Sequence, residues 1–453
     1  MNDLQVIFEA LDKKRKPVQR LFDYYDGRQP LQYTAQRLAN VFDNRCARFT
    51  QNWCAVVVDS VLDRIELTGW DSEDRRQNEE LDRLWNDLQI DLESFEVHEA
   101  CAVAGESFLI AERTAEGEIK VYANDPRNMV MVYEDSNPHR KRVAGKIFQD
   151  GEITRLILYY DDRIEAYIAN SKLPDVGAFT AFRYDEENSG SNESGVMPVF
   201  HFRNSRRTVK SELANVIPLQ DAVNKLLSDM MVTAEFSAFP ARYIVTNAEI
   251  EKLKNSPNEV WRIPAGTSDE EGTQIGTLPA ADLGNYSSQI SELATSIAVI
   301  TRTPKHYFYG STAQPSGEAL LAMEAPLNKK ANKLRQQFNP VWAEVGAYLL
   351  YLSGFGDVPV SEITPVWSPV ESIQPKTQAE IRTENIKSGL ALTTALRLEG
   401  RSADEIGQMM HEKQEAQEQE TSVGDAVLNS VLARTAQINP NQGTVPNGEK
   451  LGK

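Results

Sequence analysis

Apolar positions recur along this chain with two different periods, and the places where the period changes divide it into segments. Up to about residue 112 the spacing is helical. Between Thr34 and Leu67, the residues Leu38, Phe42, Cys46, Phe49, Trp53, Val57, Val58, Leu62 and Ile65 recur mainly in steps of three and four, which predicts one apolar helical face. A charged stretch from Ser72 to Asp91 carries Leu81, Leu84, Trp85 and Leu88 on its apolar side. From Ser107 to about Asn204 the pattern shortens. The runs FLIAER, KVYAND, MVMVYE, GKIFQD, TRLILYY, RIEAYIA, AFRYDEE and VMPVFHF alternate with the turn signals AEGE, DPRN, SNPH and QDGE. That rhythm predicts an antiparallel sheet, a meander with hairpins, in which EENSGSNESG near 186–195 is an exposed loop.

The second half returns to helical spacing. Residues 211–239 carry a stripe of Leu219, Val223, Leu226 and Met230, with Pro218 near the start, where proline is tolerated, and Pro240 at the close. An insert over 241–280 contains the strand-like RYIVTN, a short helical AEIEKLK and the strand-like VWRIPAG. Then Leu283, Tyr286, Ile290, Leu293, Ile297 and Ile300 follow in steps of 3, 4, 3, 4 and 3, a helical seam that needs an apolar partner. A long helical pattern runs on to Leu352, interrupted by Pro326 and Pro340. Each proline lacks a backbone N–H and crowds the carbonyl four residues back, so a kink or a break is predicted there. A strand-like ITPVWSPV, helical stretches from Lys376 to about Glu418, a short amphipathic piece at 427–432 and a polar end at 439–453 complete the chain.

Composition narrows the class. With 453 residues, 41% hydrophobic and 25% charged, this is a folded chain of several lobes with a substantial core. No apolar run approaches ~20 residues, so no membrane span is predicted, and MNDLQVIFEALDKKRK reads as an amphipathic helix rather than a signal peptide. Cys46, Cys54 and Cys101 include no CxxC pair and read as buried thiols in a reducing compartment. The net charge of −18 counts against a DNA-gripping regulator, because phosphate neutralisation supplies most of such affinity. It leaves room for a channel whose wall repels a sliding polyanion.

Catalytic patterns start and fail. There is no GxxxxGK[ST] phosphate cradle. His98-Glu99 opens like HExxH, but position 102 is Ala. Gly105-Glu106-Ser107 resembles half of a GxSxG elbow and continues with Phe108 and Leu109. His98, His139, His201, His306 and His411 include no pair at metal-binding helical spacing and read as surface or satisfied core histidines. Two basic clusters stand out. Arg140-Lys141-Arg142 reads as solvated charge in a turn, and Arg203 with Arg206 and Arg207 either does the same or pairs with acidic groups of a neighbouring copy.

An ordered set of short motifs carries a resemblance. Tyr24-Tyr25-Asp26-Gly27 with Gln29-Pro30-Leu31, Asn52-Trp53-Cys54 with Val57-Val58-Asp59, and Gln314-Pro315-Ser316-Gly317-Glu318-Ala319-Leu320 continuing to Glu324-Ala325-Pro326-Leu327 make residues 5–415 resemble the portal proteins of tailed bacteriophages, especially those of actinobacterial siphoviruses. The resemblance implies an α+β portal fold, mainly helical, with a mixed α/β wing (1–205), a first stem helix (206–240), a clip (241–280), a second stem helix (281–303), a tunnel loop with a long kinked helix (304–355), a return strand to the wing (356–375), a crown (376–420) and a C-terminal tail (421–453). It implies a structural protein of the virion without catalytic activity or cofactor, assembled in the host cytoplasm. It also implies a ring, usually of twelve subunits, at one capsid vertex. The ring would pass double-stranded DNA without reading its sequence. Its partners would be the terminase large subunit, a head–tail connector, and the capsid and scaffold proteins. Another oligomeric head–tail component, or a cytoplasmic enzyme with an unrecognised site, is the alternative.

Two sets of candidate residues follow. A break at Pro326 would turn Asn328, Lys329, Lys330 and Lys333 toward a lumen as a belt touching phosphates, or leave the lysines simply in water; Tyr309 to Ser316 is a second candidate loop. In the insert, Trp261 and Arg262 are candidate partner contacts or local packing, since aromatic and arginine side chains dominate interface energetics.

Overall fold

In the computed structural model, residues 2–30, 51–114, 116–237, 242–245, 274–277, 282–308, 316–370, 375–399, 401 and 406–414 are described. The chain divides into two compact units, Met1–Ser372 and Ile373–Lys453.

The first unit begins with helix α1 (Asp3–Tyr25), whose N-cap Asn2 accepts from the Leu4 amide. Its Leu4, Ile7, Leu11 and Val18 are buried along one face. Asn52 caps α2 (Trp53–Leu62), β1 (Leu67–Asp71) follows, and Asp74 caps α3 (Arg75–Asp87). The helical face foreseen from Thr34 to Leu67 therefore ends at Leu62, and Leu67 opens a strand; residues 31–50 lie outside the described residues. Helix α4 (Ile90–Ala104) stops at Gly105, whose φ of +90° and close approach to the Lys210 backbone suit only glycine. The apparent half-elbow of Gly105-Glu106-Ser107 is thus a helix end running into a strand, and the buried Ser107 hydroxyl donates to the Val97 carbonyl at 2.7 Å.

Eight strands follow: β2 (Glu106–Arg113), β3 (Ile119–Asn124), β4 (Met129–Tyr133), β5 (Lys141–Asp150), β6 (Ile153–Tyr159), β7 (Arg163–Ala169), β8 (Arg183–Ser191) and β9 (Val199–Arg203). They are antiparallel but form two sheets. One is the five-stranded meander β4-β5-β6-β7-β8, and the other has the order β3-β2-β9. The polar stretch read as a loop at 186–195 is in part the edge strand β8, which pairs with β7 through an irregular register. Its side chains are polar because an outermost strand with a charged, solvated edge resists pairing with other chains.

Helix α5 (Ile217–Ser237), strands β10 (Arg242–Val245) and β11 (Gln274–Thr277), and helix α6 (Gly284–Thr301) come next. β10 and β11 pair antiparallel. The Thr233 hydroxyl near the end of α5 meets the Tyr286 hydroxyl near the start of α6 at 3.2 Å, so the two helices run antiparallel. On α6 the buried positions are Ile290, Ala294, Ile297, Ala298 and Thr301. The foreseen seam drifts off this face, because a 3.6-residue turn outruns a 3.5-residue repeat, and Ile300 is 50% exposed.

Helix α7 (Gly317–Leu352) runs uninterrupted through Pro326 and Pro340. The break predicted at Pro326 is not found. A helix-interior proline costs about 3 kcal/mol. Against it stand the buried Leu327, Ala331, Leu334, Phe338, Trp342, Val345 and Leu349, where each large side chain contributes roughly 1.5–3 kcal/mol. Packing outweighs the proline. Strand β12 (Thr364–Trp367) then pairs with β1. In the second unit, α8 (Pro375–Lys387) and α9 (Leu392–Leu398) are joined by a two-pronged Arg382–Glu399 pair, both bonds at 2.7 Å. A further helix covers 406–414.

His98 sits at the centre of the first unit's main core, 2% exposed. It stacks on Phe338 at 5.0 Å and on Trp367 at 5.5 Å. Its Nε2 accepts from the Trp342 indole at 3.0 Å, and the Trp70 indole donates to the Trp342 carbonyl at 2.8 Å. Burial, aided by nearby Arg335 and opposed by a backbone bond to Ile65, holds His98 at a pKa of about 3 against an ordinary 6.5. Burial likewise lowers His201 to about 4, against the opposing pull of Glu106.

Both rings are neutral in the folded chain, while the unfolded chain takes up protons below about pH 6.5. Their contribution is therefore complete above that pH and is lost as pH falls through about 4 for His201 and about 3 for His98. The midpoint of urea unfolding should start to drop just below pH 6.5, before ordinary carboxylates titrate. His201→Gln should remove about half of the early slope. A midpoint that stays flat down to about pH 5 would mean that these rings are protonated without penalty.

Candidate DNA-channel surface

The first turns of α7 are fixed by one buried guanidinium. Arg64, two residues beyond α2, is 7% exposed. Its Nε donates to Asn328 Oδ1 at 2.9 Å, one terminal nitrogen to the Ser60 carbonyl at 2.9 Å, and the other to the Tyr307 hydroxyl at 2.9 Å. Glu324 Oε2 lies 3.4 Å away and neutralises the charge. The Arg64 carbonyl in turn accepts from Arg335. A desolvated guanidinium is stable only with its donors occupied and a counter-ion beside it, and the four partners together meet both needs. Tyr307 belongs to the short turn Lys305–Tyr307 after α6, so this one side chain joins α2, the end of α6 and α7.

That arrangement decides where the predicted lumen residues lie. Asn328, 8% exposed, is committed to Arg64. Lys330 points inward as well: its ammonium pairs with Glu212 at 2.7 Å and donates to the Thr301 carbonyl at 3.1 Å. These two are joints within the subunit, contrary to the expectation that a break would turn them outward. Helical periodicity explains the difference, since Leu327, Asn328, Ala331, Leu334 and Arg335 form the buried face and leave Lys329 and Lys333 on the other side. Lys329, Lys333 and Pro326 are exposed, and the two lysines stand one turn apart. The second candidate loop, apart from Ser316, and both Trp261 and Arg262 lie outside the described residues.

Sequence reasoning missed a second buried polar group. Glu106 Oε1 pairs with Lys14 at 2.6 Å, and its Oε2 meets His201 Nε2 at 2.8 Å. The neutral His201 ring donates to the carboxylate, so its Nδ1 accepts from the Tyr133 hydroxyl at 2.9 Å. Burial alone would raise Glu106, but the hydrogen bond from His201 and the Lys14 ammonium outweigh it and hold the carboxyl at about 2. The group ties α1 to β2, β4 and β9. Among the described residues no cluster of three or more His, Cys, Asp or Glu is placed to hold a metal ion. Cys54 and Cys101 are free and buried, and burial pushes the Cys54 thiol up to about 12.

The short motifs also meet in space. Asn52 donates to the Tyr25 carbonyl at 2.6 Å, Tyr25 donates to Asp59 at 2.9 Å, and Tyr24 donates to Asp221 of α5 at 2.7 Å. They are connections between elements.

Phage portal proteins of the SPP1 Gp6-like kind are the family to which this chain belongs, matched over residues 4–419. The chain is 24% identical over 404 residues to the portal protein of Mycobacterium phage L5, covering 83% of this chain and 80% of that one. It is equally 24% identical over 401 residues to the portal protein of Mycobacterium phage D29, with the same coverage. A chain from a solved structure titled "Neck of empty GTA particle computed with C6 symmetry" overlaps 83% of this chain and 96% of its own at 12% identity and a TM-score of 0.45, a likeness too slight to bear on the fold. The family is one of structural virion components that form the portal ring at a capsid vertex. No described helix is long and apolar enough to cross a membrane.

Arg64→Met should lower the unfolding free energy by about 3 kcal/mol, because Glu324 and Asn328 lose their partner inside the protein. Hydrogen exchange should then quicken first over 305–308 and 316–330. Lys330→Ala should also destabilise, whereas Lys329→Ala should shift the melting temperature very little. Equal effects of the two lysines would contradict their assignment to opposite sides of α7.

Proposed function

We propose that the chain assembles head-to-tail into a ring, a dodecamer in the closed form, whose hole conducts double-stranded DNA during packaging and ejection. The observation that carries this reading is the family match over 4–419 together with two antiparallel helices that flank an inserted segment. α5 and α6 serve as the stem, the insert between them as the clip, residues 1–205 as the wing, and α8, α9 and the helix over 406–414 as the crown. A helix of 21 residues such as α5 is about 32 Å long, a suitable wall for a short channel.

In this reading the clip docks the terminase and later the head–tail connector, with Trp261 and Arg262 as its contacts, and capsid and scaffold proteins surround the wing. The subunits assemble in the host cytoplasm. ATP hydrolysis resides in the terminase, and the ring does no chemistry. The lumen belt reduces to Lys329 and Lys333, with Pro326 beside them, since Asn328 and Lys330 are occupied inside the subunit. Two lysines per subunit touch phosphates weakly and without base recognition, which suits a polymer that must slide.

Negative-stain electron microscopy of the purified protein should show rings with a central hole wide enough for a duplex. Monomers that persist across salt and concentration would remove the proposal. With rings in hand, Lys329→Ala together with Lys333→Ala should change the packaging rate by about twofold or more and flatten its salt dependence. An unchanged rate and salt slope would rule out the belt while leaving the ring intact.

A further inference from the structure

Members of the two basic clusters that the channel reading leaves unused meet in one hollow. Lys141 at the start of β5, Arg203 at the end of β9 and Arg206 three residues beyond it line one open cavity of about 300 Å³ together with Gln337, Val341 and Glu344 of α7. Lys141 is paired with Glu344 at 2.8 Å. Arg203 lies over the Tyr133 ring at 4.6 Å, and among the described residues neither Arg203 nor Arg206 has a carboxylate partner. Two guanidinium groups thus face one hollow whose carboxylate, Glu344, is already paired with Lys141, in a chain whose net charge is −18. Such a concentration of unpaired arginine is a receptor for carboxylates.

The same unit carries a complementary feature. A second hollow of about 450 Å³ is rimmed by Asp63, Glu66 and Asp91 and by the apolar Leu92 and Phe95. Leu92 is 58% exposed and Phe95 54%, on the first turns of α4, an apolar pair open to solvent inside an acidic border. The two hollows lie on different faces of α7. Gln337, Val341 and Glu344 share one face, while Phe338 and Trp342 turn the other way onto His98, which lines the acidic hollow. One protomer cannot close its own acidic rim onto its own arginines, but a second copy of the chain can. A head-to-tail contact of unlike surfaces is also the kind that closes into a ring.

Resting on the ring reading above, we infer that the Arg203/Arg206 cavity of each subunit receives the Asp63/Asp91 rim of its neighbour, with Leu92 and Phe95 covered in the same contact. Desolvated arginines opposite carboxylates then select the neighbour and its register, and the apolar pair adds burial.

A charge exchange tests this. The variant Arg203→Glu with Arg206→Glu and the variant Asp63→Lys with Asp91→Lys are purified separately, with circular dichroism confirming that each is folded. Sedimentation velocity then follows assembly. Each alone should need a concentration about tenfold or more above that of the wild type to associate, because like charges meet across the contact. An equimolar mixture should recover association, since every alternating contact then pairs opposite charges. Single variants that assemble like the wild type overturn the pairing. A mixture that stays as dissociated as its folded components overturns it too. A wild type that remains monomeric in the same buffers overturns the ring reading itself, and the pairing with it.

Discussion

A guanidinium removed from water must keep every partner it has, and Arg64 imposes that condition on three separate parts of the chain. Asn328 and Glu324 come from α7, Tyr307 from the turn after α6, and the Ser60 carbonyl from α2. None can move independently without leaving a buried donor or charge exposed to an apolar surrounding, which costs far more than a surface ion pair contributes. The turn between α6 and α7 is thereby held to α2 through Tyr307 and the Ser60 carbonyl. Lys330, two residues after Asn328, repeats the device, joining α7 to Glu212 and to the carbonyl at the end of α6. The first turns of α7 are therefore held from two sides.

The aromatic core behind α7 plays a different part. His98, Phe338, Trp342, Trp70 and Trp367 interlock through stacking and two indole hydrogen bonds, drawing α4, α7 and the β1–β12 pair into one body. The histidine is there as a neutral, flat acceptor for an indole N–H, a role that phenylalanine could not fill without orphaning that donor. Rigidity here and fixation at Arg64 place both ends of the long helix under constraint.

How much of this was legible follows from which forces are local. The helices over 217–237 and 284–301, the strand spacing over 106–203 and the return strand at 364–367 all follow from the period of apolar side chains, which one segment displays by itself. The split of the strands into two sheets was not legible, because alternation gives strand faces and not the identity of the partner strand. Pro326 misled for a related reason. Its local cost is real, but the packing of Leu327 and Leu334 that overrides it comes from elements hundreds of residues away. Asn328 and Lys330 looked like channel residues because a break at Pro326 would have turned them toward a lumen. Only the positions of Arg64 and Glu212 reveal that they are satisfied inside. A signal was present in Arg64 itself, a lone cation following the apolar run Ala55–Val58 and Val61–Leu62, but nothing in one sequence pairs it with position 328. The recurring motifs were the better guide, since Tyr24, Tyr25, Asn52 and Asp59 turn out to bond across elements.

The acidic balance finally makes sense as a division of labour. A ring of chains each carrying −18 repels itself and the DNA within it, and at physiological ionic strength that repulsion is felt over about 8 Å. Cohesion therefore has to come from contacts shorter than the screening length, where apolar cover and paired charges act directly. Cations spread evenly over the surface would neutralise the chain yet grip the duplex along the whole channel, and every phosphate bound would be a step to climb. Arg64 and Lys330 are instead paired with Glu324 and Glu212 inside the subunit, and Arg203 and Arg206 share one hollow. In the pairing inferred above, that hollow holds protein to protein. In the belt proposed above the polymer meets two lysines per subunit, which is the condition for a conduit that does not stall its cargo.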